Sequence, residues 1–514
     1  MKKFNLTLFF SGLSCLAAVA FLCSCGGAAT RQADPRPRII VTTDQELDDL
    51  NSVIRLLLFS TDYRVEGLIY ASSQVHWAGD GSGTTMNRPG SEYDRLGLGP
   101  VSSWRWNPDV HHIDEVVDAY EACYDNLLVH NPTFPTPESL RAVTCYGNIE
   151  FEGDYSKDTP GSELIKKVIL DDGDPVFVEA WGGPSTIARA LKSIEETYKG
   201  SENWPAIRQK VIDKTILSLS GLQDSSYDEY IAVAWPEIRQ MPMSGTTAGV
   251  GYMAEFYANP ESKHFYQPEW MRENIIGIGP LGSIYRYWGD GKQMVEGDPT
   301  DYFGFSGLSD EDLRSMGYMI WCPMAPKGSF ISEGDTPCFL NLIDNGLRAH
   351  EDPTYGGWII GQVDLPDSLS LPPIFASISP WIKEHYPTPD FTAPVFNGLA
   401  ARLKWTVTPS YEDANHEPVI SGALALSGKP GQTIKLKYEV SDPDGDEISV
   451  KWWDYKAAST YKGAVAVADP ASACTTFTVP SDAQSGQTIH LILEATDNGT
   501  PALNRYLRAI VTVK

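Results

Sequence analysis

The stretch that decides the fold reads RIIVTTDQELDDL and spans residues 38–50. Its β-branched run, residues 38–43, predicts a short buried strand that ends in an acidic loop. Apolar residues at helical spacing follow over 50–58, and residues 63–70 again have the composition of a strand. Strand, loop, helix and strand in this order form a βαβ unit, which predicts a parallel sheet.

The same alternation continues along the chain. Residues 163–170 and 185–198 have helical periodicity, whereas 176–180 and 214–219 have the composition of buried strands. We therefore predict an α/β domain over residues 38–390, built on an open, mostly parallel sheet with flanking helices. Ligands of such sheets bind beyond the carboxyl ends of the strands, and the acidic loop lies at one of those ends.

Asp44, Asp48 and Asp49 fall within six residues of one another after the first strand. Their carboxylates repel one another, and Ca²⁺, which takes oxygen ligands, would relieve that repulsion. The alternative is helix capping, because Thr43 and Glu46 have the spacing of a capping box and acidic residues suit a first helical turn. Local chemistry alone leaves both interpretations open.

The string IIVTTDQELDD, residues 39–49, resembles the N-terminal signature of nucleoside hydrolases, in which a strand runs into D-T-D-x-G-x-D-D. It is more similar to the nucleoside-hydrolase-like domain of a cellulose-binding protein family from polysaccharide-degrading bacteria. Three later segments carry the same resemblance: AWGGPST at 180–186, SEGDTP at 332–337 and YGGW at 355–358. The resemblance covers nearly all of residues 38–514 and implies a nucleoside-hydrolase-like fold.

The resemblance also implies roles for single residues. Asp44 would be a calcium ligand and the general base that takes a proton from the attacking water. Asp49, Asp335 and the backbone carbonyl of Gly182 would complete the metal site, and Asp48 would hold sugar hydroxyls. The protein would then be a calcium-dependent hydrolase of glycosyl bonds, acting on an N-glycosyl or glycan substrate through an oxocarbenium-like transition state.

The sequence departs from the nucleoside-hydrolase pattern at the sugar and leaving-group ends. Thr42 or Thr43, depending on the alignment, stands where the signature has its first Asp, Glu46 replaces its glycine, and Gly334 stands in place of a late His. The metal carboxylates are retained, which favours metal binding over cleavage of purine or pyrimidine nucleosides. The alternative function is a non-catalytic cellulose- or carbohydrate-binding surface lipoprotein that uses the hydrolase fold as a scaffold.

Three further residues are candidate substrate contacts. Gln74 comes after the second strand, where nucleoside hydrolases place a sugar-binding Asn, and His76 follows it in a Gly-rich loop. Asp224 follows another strand at its carboxyl end. The alternatives are a surface histidine at 76, an ordinary loop at 224 and, for Asp335, a turn residue.

From about Phe391 the chain loses its helical periodicity. Short strands separated by turn signals follow, at 434–440, 448–453, 489–495 and 508–513. This pattern predicts an immunoglobulin-like β-sandwich over residues 391–514. Trp452 and Trp453 point to opposite faces of their strand, so at most one of them faces the core.

The sequence DPDGD at 442–446 alternates Asp as small calcium loops do. An ordinary hairpin turn is the preferred interpretation, because Asp, Pro and Gly are the residues that turns use.

The N-terminus has the features of an export signal. A short basic segment precedes an apolar stretch at 6–22, and Leu22-Cys23-Ser24-Cys25 resembles the lipobox of bacterial lipoproteins. That resemblance implies a signal peptide at 1–24, lipidation of Cys25 and a tether at 25–37. The protein would be lipid-anchored in the bacterial cell envelope, in the outer membrane and facing the periplasm or the surface. Plain secretion is the alternative.

The 514-residue chain has 67 acidic and 40 basic side chains, a formal net charge of −27. Nucleic-acid binding depends on neutralising phosphates with Lys and Arg, so this charge argues against a nucleic-acid partner. The 14 Trp and 24 Tyr suit flat ligands such as sugar rings, although they are also large core residues. We expect a carbohydrate or a nucleoside-like small substrate. The oligomeric state does not follow from the sequence.

Overall fold

The computed structural model describes residues 34–241, 249–352, 354–358 and 390–514. Cys25, the predicted signal peptide and most of the predicted tether lie outside these residues, so export, lipidation and localisation stay predictions. Within the described ranges, no helix is both long enough and apolar enough to cross a membrane.

The α/β part is built on six parallel strands: β1 Arg38–Thr43, β2 Arg64–Tyr70, β3 Thr144–Tyr146, β4 Val176–Ala180, β5 Thr215–Leu219 and β6 Arg239–Gln240. They pair in the order β3-β2-β1-β4-β5-β6. Every residue of β1 is buried, as the Ile/Val run of a central parallel strand requires. The predicted open parallel sheet is confirmed.

Helices cover both faces of this sheet. Ile39 and Val41 of β1 belong to one apolar core, and Ile40 belongs to a second core on the opposite face. The described helices of this part are α1 Leu47–Leu58, α2 Glu92–Arg95, α3 His112–Glu121, α4 Tyr124–His130, α5 Pro137–Ala142, α6 Pro160–Leu170, α7 Ser185–Tyr198, α8 Trp204–Lys214, α9 Ala232–Ala234, α10 Ala254–Tyr257, α11 Pro268–Asn274, α12 Gly279–Ile284, α13 Asp310–Ser315 and α14 Pro337–Leu340.

The expectation that helical structure ends near Phe391 is wrong. Thr392–Trp405, which we call the linking helix, is helical and buried along most of its length. Pro394 has no backbone N–H to donate. It is tolerated because it lies in the first helical turn, where backbone N–H groups have no intrahelical partner. A helix that is buried on nearly all sides lacks the two-faced pattern of a surface helix, which is why the sequence did not reveal it. The domain boundary at 390/391 stays a prediction.

The C-terminal part is rich in strands: β7 Val419–Ser421, β8 Ala425–Gly428, β9 Thr433–Lys437, β10 Glu439–Ser441, β11 Ile448–Asp454, β12 Cys474–Thr478, β13 Thr488–Asp497 and β14 Asn504–Val513. They form a sheet of order β11-β13-β14-β8 and two strand pairs, β10-β7 and β12-β9. Leu436, Phe477 and Leu491 are buried in a core of their own. The immunoglobulin-like topology itself stays a prediction.

The strand-rich part also packs into the large core of the α/β part. Ile492 and Tyr506 are buried in the same cluster as the linking helix. Trp452 is buried in the core of the strand-rich part, whereas Trp453 packs against Phe391, with ring centroids 6.4 Å apart. Residues 36–514 accordingly form one compact unit.

Candidate functional site

The acidic loop lies where the order of the sheet reverses. β1 is flanked by β2 on one side and β4 on the other, so the switch point of the sheet lies between β1 and β4. Asp44 directly follows β1, and Gly182 follows β4 at the same edge. A Cβ atom on Gly182 would lie 3.0 Å from Oδ2 of Asp44. The structure thus brings these two predicted ligands together.

The start of α1 tests the capping interpretation of the loop. The helix begins at Leu47 with Glu46 as its N-cap, and the Glu46 side chain makes no cap hydrogen bond. Thr43 belongs to β1, and its hydroxyl donates to Oδ1 of Asp49 instead. The predicted capping box is therefore wrong, because Thr43 is held in the strand and its hydroxyl is already engaged.

The carboxylate of Asp44 is buried and accepts no hydrogen bond from the described part of the chain. The residue is 1% exposed, and neither oxygen has a hydrogen-bond partner among the residues that the structure describes. Nδ1 of His76 lies 3.5 Å from Oδ2, a long contact that is mainly electrostatic. Burial is the largest single effect and would raise the pKa of Asp44, but His76, Ser73 and Asp49 together outweigh it and lower the pKa below its ordinary value. An ionised, buried group of this kind calls for a cation or a donor from a ligand.

The loop at residues 332–335 forms the opposite wall. Oγ of Ser332 and the N–H of Gly334 donate to Oδ2 of Asp48, at 3.0 and 3.2 Å. A Cβ atom on Gly334 would lie 2.3 Å from the same oxygen, so a side chain at this position, such as the late His of nucleoside hydrolases, would have to displace the Asp48 carboxylate. Asp335 follows and is buried.

The carboxylates raise one another's pKa. Burial, followed by the charges of Asp335 and Asp44, raises the pKa of Asp49 well above its ordinary value. Burial and the charge of Asp48 raise the pKa of Asp335 in the same way. Burial is also the main reason that the pKa of Asp48 rises to about 6. Carboxylate oxygens of Glu46, Asp48 and Asp49 lie within 4.8 Å of one another, so a divalent cation among them would relieve this repulsion.

Glu46 and Tyr252 belong to the site, although neither was predicted as a site residue. Ligand atoms of Glu46, Asp44 and His76 lie within 4.8 Å of one another. The hydroxyl of Tyr252 donates to Glu46 at 3.3 Å and to Asp48 at 3.2 Å. The signal for Glu46 was its replacement of the signature glycine. Tyr252 lies about 200 residues away, and no local pattern marks it.

His112 is a third residue that the sequence did not reveal. It is fully buried, and its Nε2 lies 3.1 Å from Oγ1 of Thr43. Burial lowers the pKa of His112 to about 4, so the ring is neutral at pH 7. His112 therefore supports the Thr43 hydroxyl that in turn donates to Asp49.

The three predicted substrate contacts have different environments. His76 is buried, so the alternative of a surface histidine is wrong, whereas Gln74 is exposed. Asp224 is buried with both oxygens engaged: Oδ2 accepts from the N–H of Ser185 at 3.1 Å, and Oδ1 accepts from the N–H of Ser226 at 2.8 Å. These bonds give Asp224 a structural task. Substrate contact by any of the three stays a prediction.

An aromatic group borders the carboxylates. The ring of Tyr252 stacks on Phe303, with centroids 5.3 Å apart, and meets Trp321 edge-on at 4.8 Å. Tyr252 and Trp321 are partly exposed. A pocket beside Tyr252 is lined mainly by apolar residues, including Trp288 and Phe330. The carboxylates and a set of flat apolar surfaces thus adjoin one another.

Comparisons with known proteins agree with this architecture. Residues 38–360 match the family model described as cellulose-binding Sde182, nucleoside hydrolase-like domain, and residues 433–513 match that of the cellulose-binding protein Sde0182, C-terminal domain. A solved structure of a nucleoside hydrolase-related hypothetical protein from Saccharophagus degradans, associated with carbohydrate metabolism, is similar at a TM-score of 0.63. It has 24% sequence identity over 93% of this chain and 100% of that chain, which supports the fold alone.

A weaker likeness is to the inosine-uridine preferring nucleoside hydrolase from Bacillus anthracis. The TM-score is 0.25, with 13% identity over 48% of this chain and 75% of that chain, too low to carry an argument. No curated protein is significantly similar to the chain. The first family model spans most of the chain, from β1 to residue 360, and includes the whole acidic site. The chain therefore belongs to the cellulose-binding Sde182 family, with its nucleoside-hydrolase-like domain and its C-terminal domain.

Proposed function

We propose that the protein is a calcium-dependent hydrolase of glycosyl bonds, with an N-glycosyl or glycan substrate and Asp44 as the base that activates water. The observation that carries the proposal is the state of Asp44, a buried carboxylate at the switch point whose oxygens have no hydrogen-bond partner within the described chain. A carboxylate with a purely structural task at this depth would be hydrogen-bonded. A base that takes a proton from water must instead keep an oxygen free.

The residues around Asp44 fit a calcium ion. The carboxylates of Asp44, Asp49 and Asp335 and the backbone carbonyl of Gly182 would supply only oxygen donors, which is the set that Ca²⁺ prefers. Glu46 adds a further carboxylate close to Asp44. A calcium ion bound there would lower the pKa of a water molecule and attract vicinal sugar hydroxyls.

The side chains divide the remaining tasks. Asp44 stays ionised because His76, Ser73 and Asp49 together hold its pKa below the ordinary value, so it can accept a proton from water. Asp48, held by Ser332 and Gly334, would orient sugar hydroxyls. The partly exposed ring of Tyr252 offers a flat surface on which a sugar ring can pack.

Carbohydrate binding without catalysis is the second candidate. The family's description as cellulose-binding favours it, and so does Gly334, which removes the side chain that would assist a leaving group. Both functions would use the same carboxylates and the same aromatic surface. The two candidate functions differ in whether the protein hydrolyses the bound sugar, with Asp44 as the base.

The decisive experiment combines turnover with calcium-dependent stability. The chain from residue 36 onward would be assayed on nucleosides, aryl glycosides and cellulose-derived oligosaccharides, with calcium or with a chelator. Asp44→Asn should reduce turnover by about 100-fold or more, because an amide cannot accept the proton. Asp49→Asn should remove the calcium-dependent rise in melting temperature. Calcium at 100 times its Kd should stabilise the wild type by about 2.7 kcal/mol.

Asp118→Asn is the matched control, because the Asp118 side chain is 71% exposed on the solvent-facing side of α3. It should leave both turnover and the calcium effect unchanged. Gly182→Ala should impair both, since its Cβ atom would press on Asp44. If the melting temperature of the wild type is the same with calcium and with chelator, the metal site is refuted. Saturable sugar binding without turnover of any substrate would favour the second candidate.

A further inference from the structure

A second cluster of carboxylates lies in the strand-rich part, far along the chain from the first. Asp442, Asp444 and Asp446 occupy the loop between β10 and β11, and one carboxylate oxygen from each lies within 4.8 Å of the others. Oδ1 of Asp442 accepts the backbone N–H groups of Asp444 at 2.9 Å and Asp446 at 3.1 Å. These bonds fold the loop so that its three acids converge.

Buried oxygens without partners lie beside this loop. Asp497 is 4% exposed, and its Oδ1 accepts the N–H groups of Gly499 and Leu503, both at 2.9 Å. Its Oδ2 has no hydrogen-bond partner in the described ranges, and the same holds for Oδ2 of Asp442. Asn415 is 9% exposed and donates its amide to Oδ1 of Asp497 at 3.1 Å, yet its own Oδ1 also lacks a partner among the described residues.

Strand register places Asp497 next to the loop. Asp497 ends β13 and pairs with Ile448, the first residue of β11, which follows the loop directly. The N–H of Glu447 donates to the side chain of Asn498 at 3.0 Å, which fixes the loop against the end of β13. Burial raises the pKa of Asp497, and the negative charge of Asp442 adds to this rise, in keeping with their closeness.

The donors define the chemistry of a ligand. All five side chains offer oxygen, four of them from carboxylates. Within the described residues, Oδ2 of Asp442, Oδ2 of Asp497 and Oδ1 of Asn415 have no hydrogen-bond partner. Leaving a buried acceptor unsatisfied costs about 1–3 kcal/mol, and more when it is charged. A hard cation with many oxygen ligands would offset that cost, and a short flexible loop suits the geometry of Ca²⁺ better than that of Mg²⁺.

We propose that Asp442, Asp444, Asp446, Asp497 and Asn415 bind one calcium ion, at a site separate from the Asp44 cluster. The proposal does not depend on the function of the first site. The hairpin-turn interpretation of residues 442–446 is wrong, because the flanking strands do not pair with each other: β10 pairs with β7, and β11 pairs with β13.

The position of this site gives it a structural task. The backbone N–H of His416 donates to Oδ2 of Asp444 at 2.7 Å, and its ring stacks on Tyr411 with centroids 3.7 Å apart. Nε2 of His416 lies 3.0 Å from Nδ1 of His130, at the end of α4 in the α/β part. Calcium that orders residues 442–446 would therefore also fix His416, and with it the contact between the strand-rich part and α4.

Calcium titration of the metal-free protein, followed by calorimetry, tests the site. The chain from residue 36 onward with Asp49→Asn, which disables the first cluster, should still bind one equivalent of calcium. Adding Asp442→Asn and Asp446→Asn should abolish that binding. Adding Glu439→Gln instead, an exposed carboxylate of the neighbouring strand β10, should leave it unchanged. Equal binding by all three proteins, or no binding by Asp49→Asn alone, would overturn the proposal.

A second measurement avoids variants that fail to fold. In the wild type, calcium should slow amide hydrogen exchange of residues 442–447 and of the segment around His416 by at least about tenfold, since ordering a loop suppresses local opening. Exchange in these segments that is the same with calcium and with chelator would overturn the proposal, whatever happens at the Asp44 cluster.

Discussion

Replacing Arg55 by Met should strongly destabilise the protein, because Arg55 joins three segments that are far apart in the chain. Its guanidinium pairs with Glu333, and both side chains are 0% exposed. Nη2 donates to Oε1 of Glu333 at 3.1 Å, and Nη1 donates to the carbonyl of Val395 at 2.7 Å. Arg55 thus ties α1 to the loop that carries Asp335 and to the linking helix.

The magnitude follows from these contacts. Removing one partner of a buried ion pair leaves an uncompensated charge and costs about 3–5 kcal/mol. The lost bond to Val395 adds about 1 kcal/mol. We therefore expect Arg55→Met to lower the free energy of unfolding by about 4–6 kcal/mol. Arg64→Met is the control: its pair with Asp174 at 3.3 Å is largely exposed and should contribute no more than about 1 kcal/mol.

Urea unfolding followed by tryptophan fluorescence measures these differences. The double variant Arg55→Met/Glu333→Met should be more stable than the sum of the single losses predicts, because it removes both buried charges together. A loss of less than about 1 kcal/mol for Arg55→Met would refute the reasoning, since it would mean that the pair is effectively solvated. Strict additivity of the two single variants would refute it as well.

Two further predictions concern Glu179 and Cys25. Burial raises the pKa of Glu179 to about 8. The folded state therefore keeps a proton that the unfolded state releases above about pH 4.3. As a result, Glu179 lowers the free energy of unfolding progressively as pH rises from about 4.3 to 8. Glu179→Gln should raise the free energy of unfolding by up to about 3 kcal/mol at pH 7 and by much less at pH 5, and a gain of equal size at both pH values would contradict this. Cys25→Ala should move the protein from the membrane fraction to the soluble fraction on cell fractionation. A variant that stays in the membrane pellet, with no lipid mass on the wild type, would contradict the predicted anchor.

The first βαβ unit could be predicted because its pattern is local. The β-branched run of β1, the helical spacing of α1 and the strand β2 all lie within residues 38–70, and the acidic loop between them is visible in the same window. The convergence of the site could not be read from local pattern. His112 and Tyr252 come from other segments, and only the folded chain places them beside Thr43 and Asp48. Only the family resemblance predicted that Gly182 lies near Asp44, because neither segment alone reveals that β1 and β4 are neighbours in the sheet.

The polar residues of α1 explain how the site is assembled. They recur at positions i, i+3, i+4 and i+7 and so share one face of the helix, at Asp48, Asn51, Ser52 and Arg55. On a surface helix such a stripe would face water, but here every one of its residues is buried. Asn51 donates to the carbonyl of Ser332 at 2.9 Å, and Oγ of Ser52 accepts the N–H of Thr336 at 3.2 Å.

A series of hydrogen bonds therefore holds the loop that carries Asp335 against the face of α1 that carries Asp48. Repulsion among the carboxylates opposes this docking, and the Arg55–Glu333 pair at the far end of the stripe supports it. A substitution on this polar face must change stability and carboxylate geometry together. A substitution at an apolar position of α1 such as Val53, which packs in the large core, changes packing first. The acidic site and the fold are thus linked through α1, because the helix that begins with the carboxylates also holds the loop that completes them.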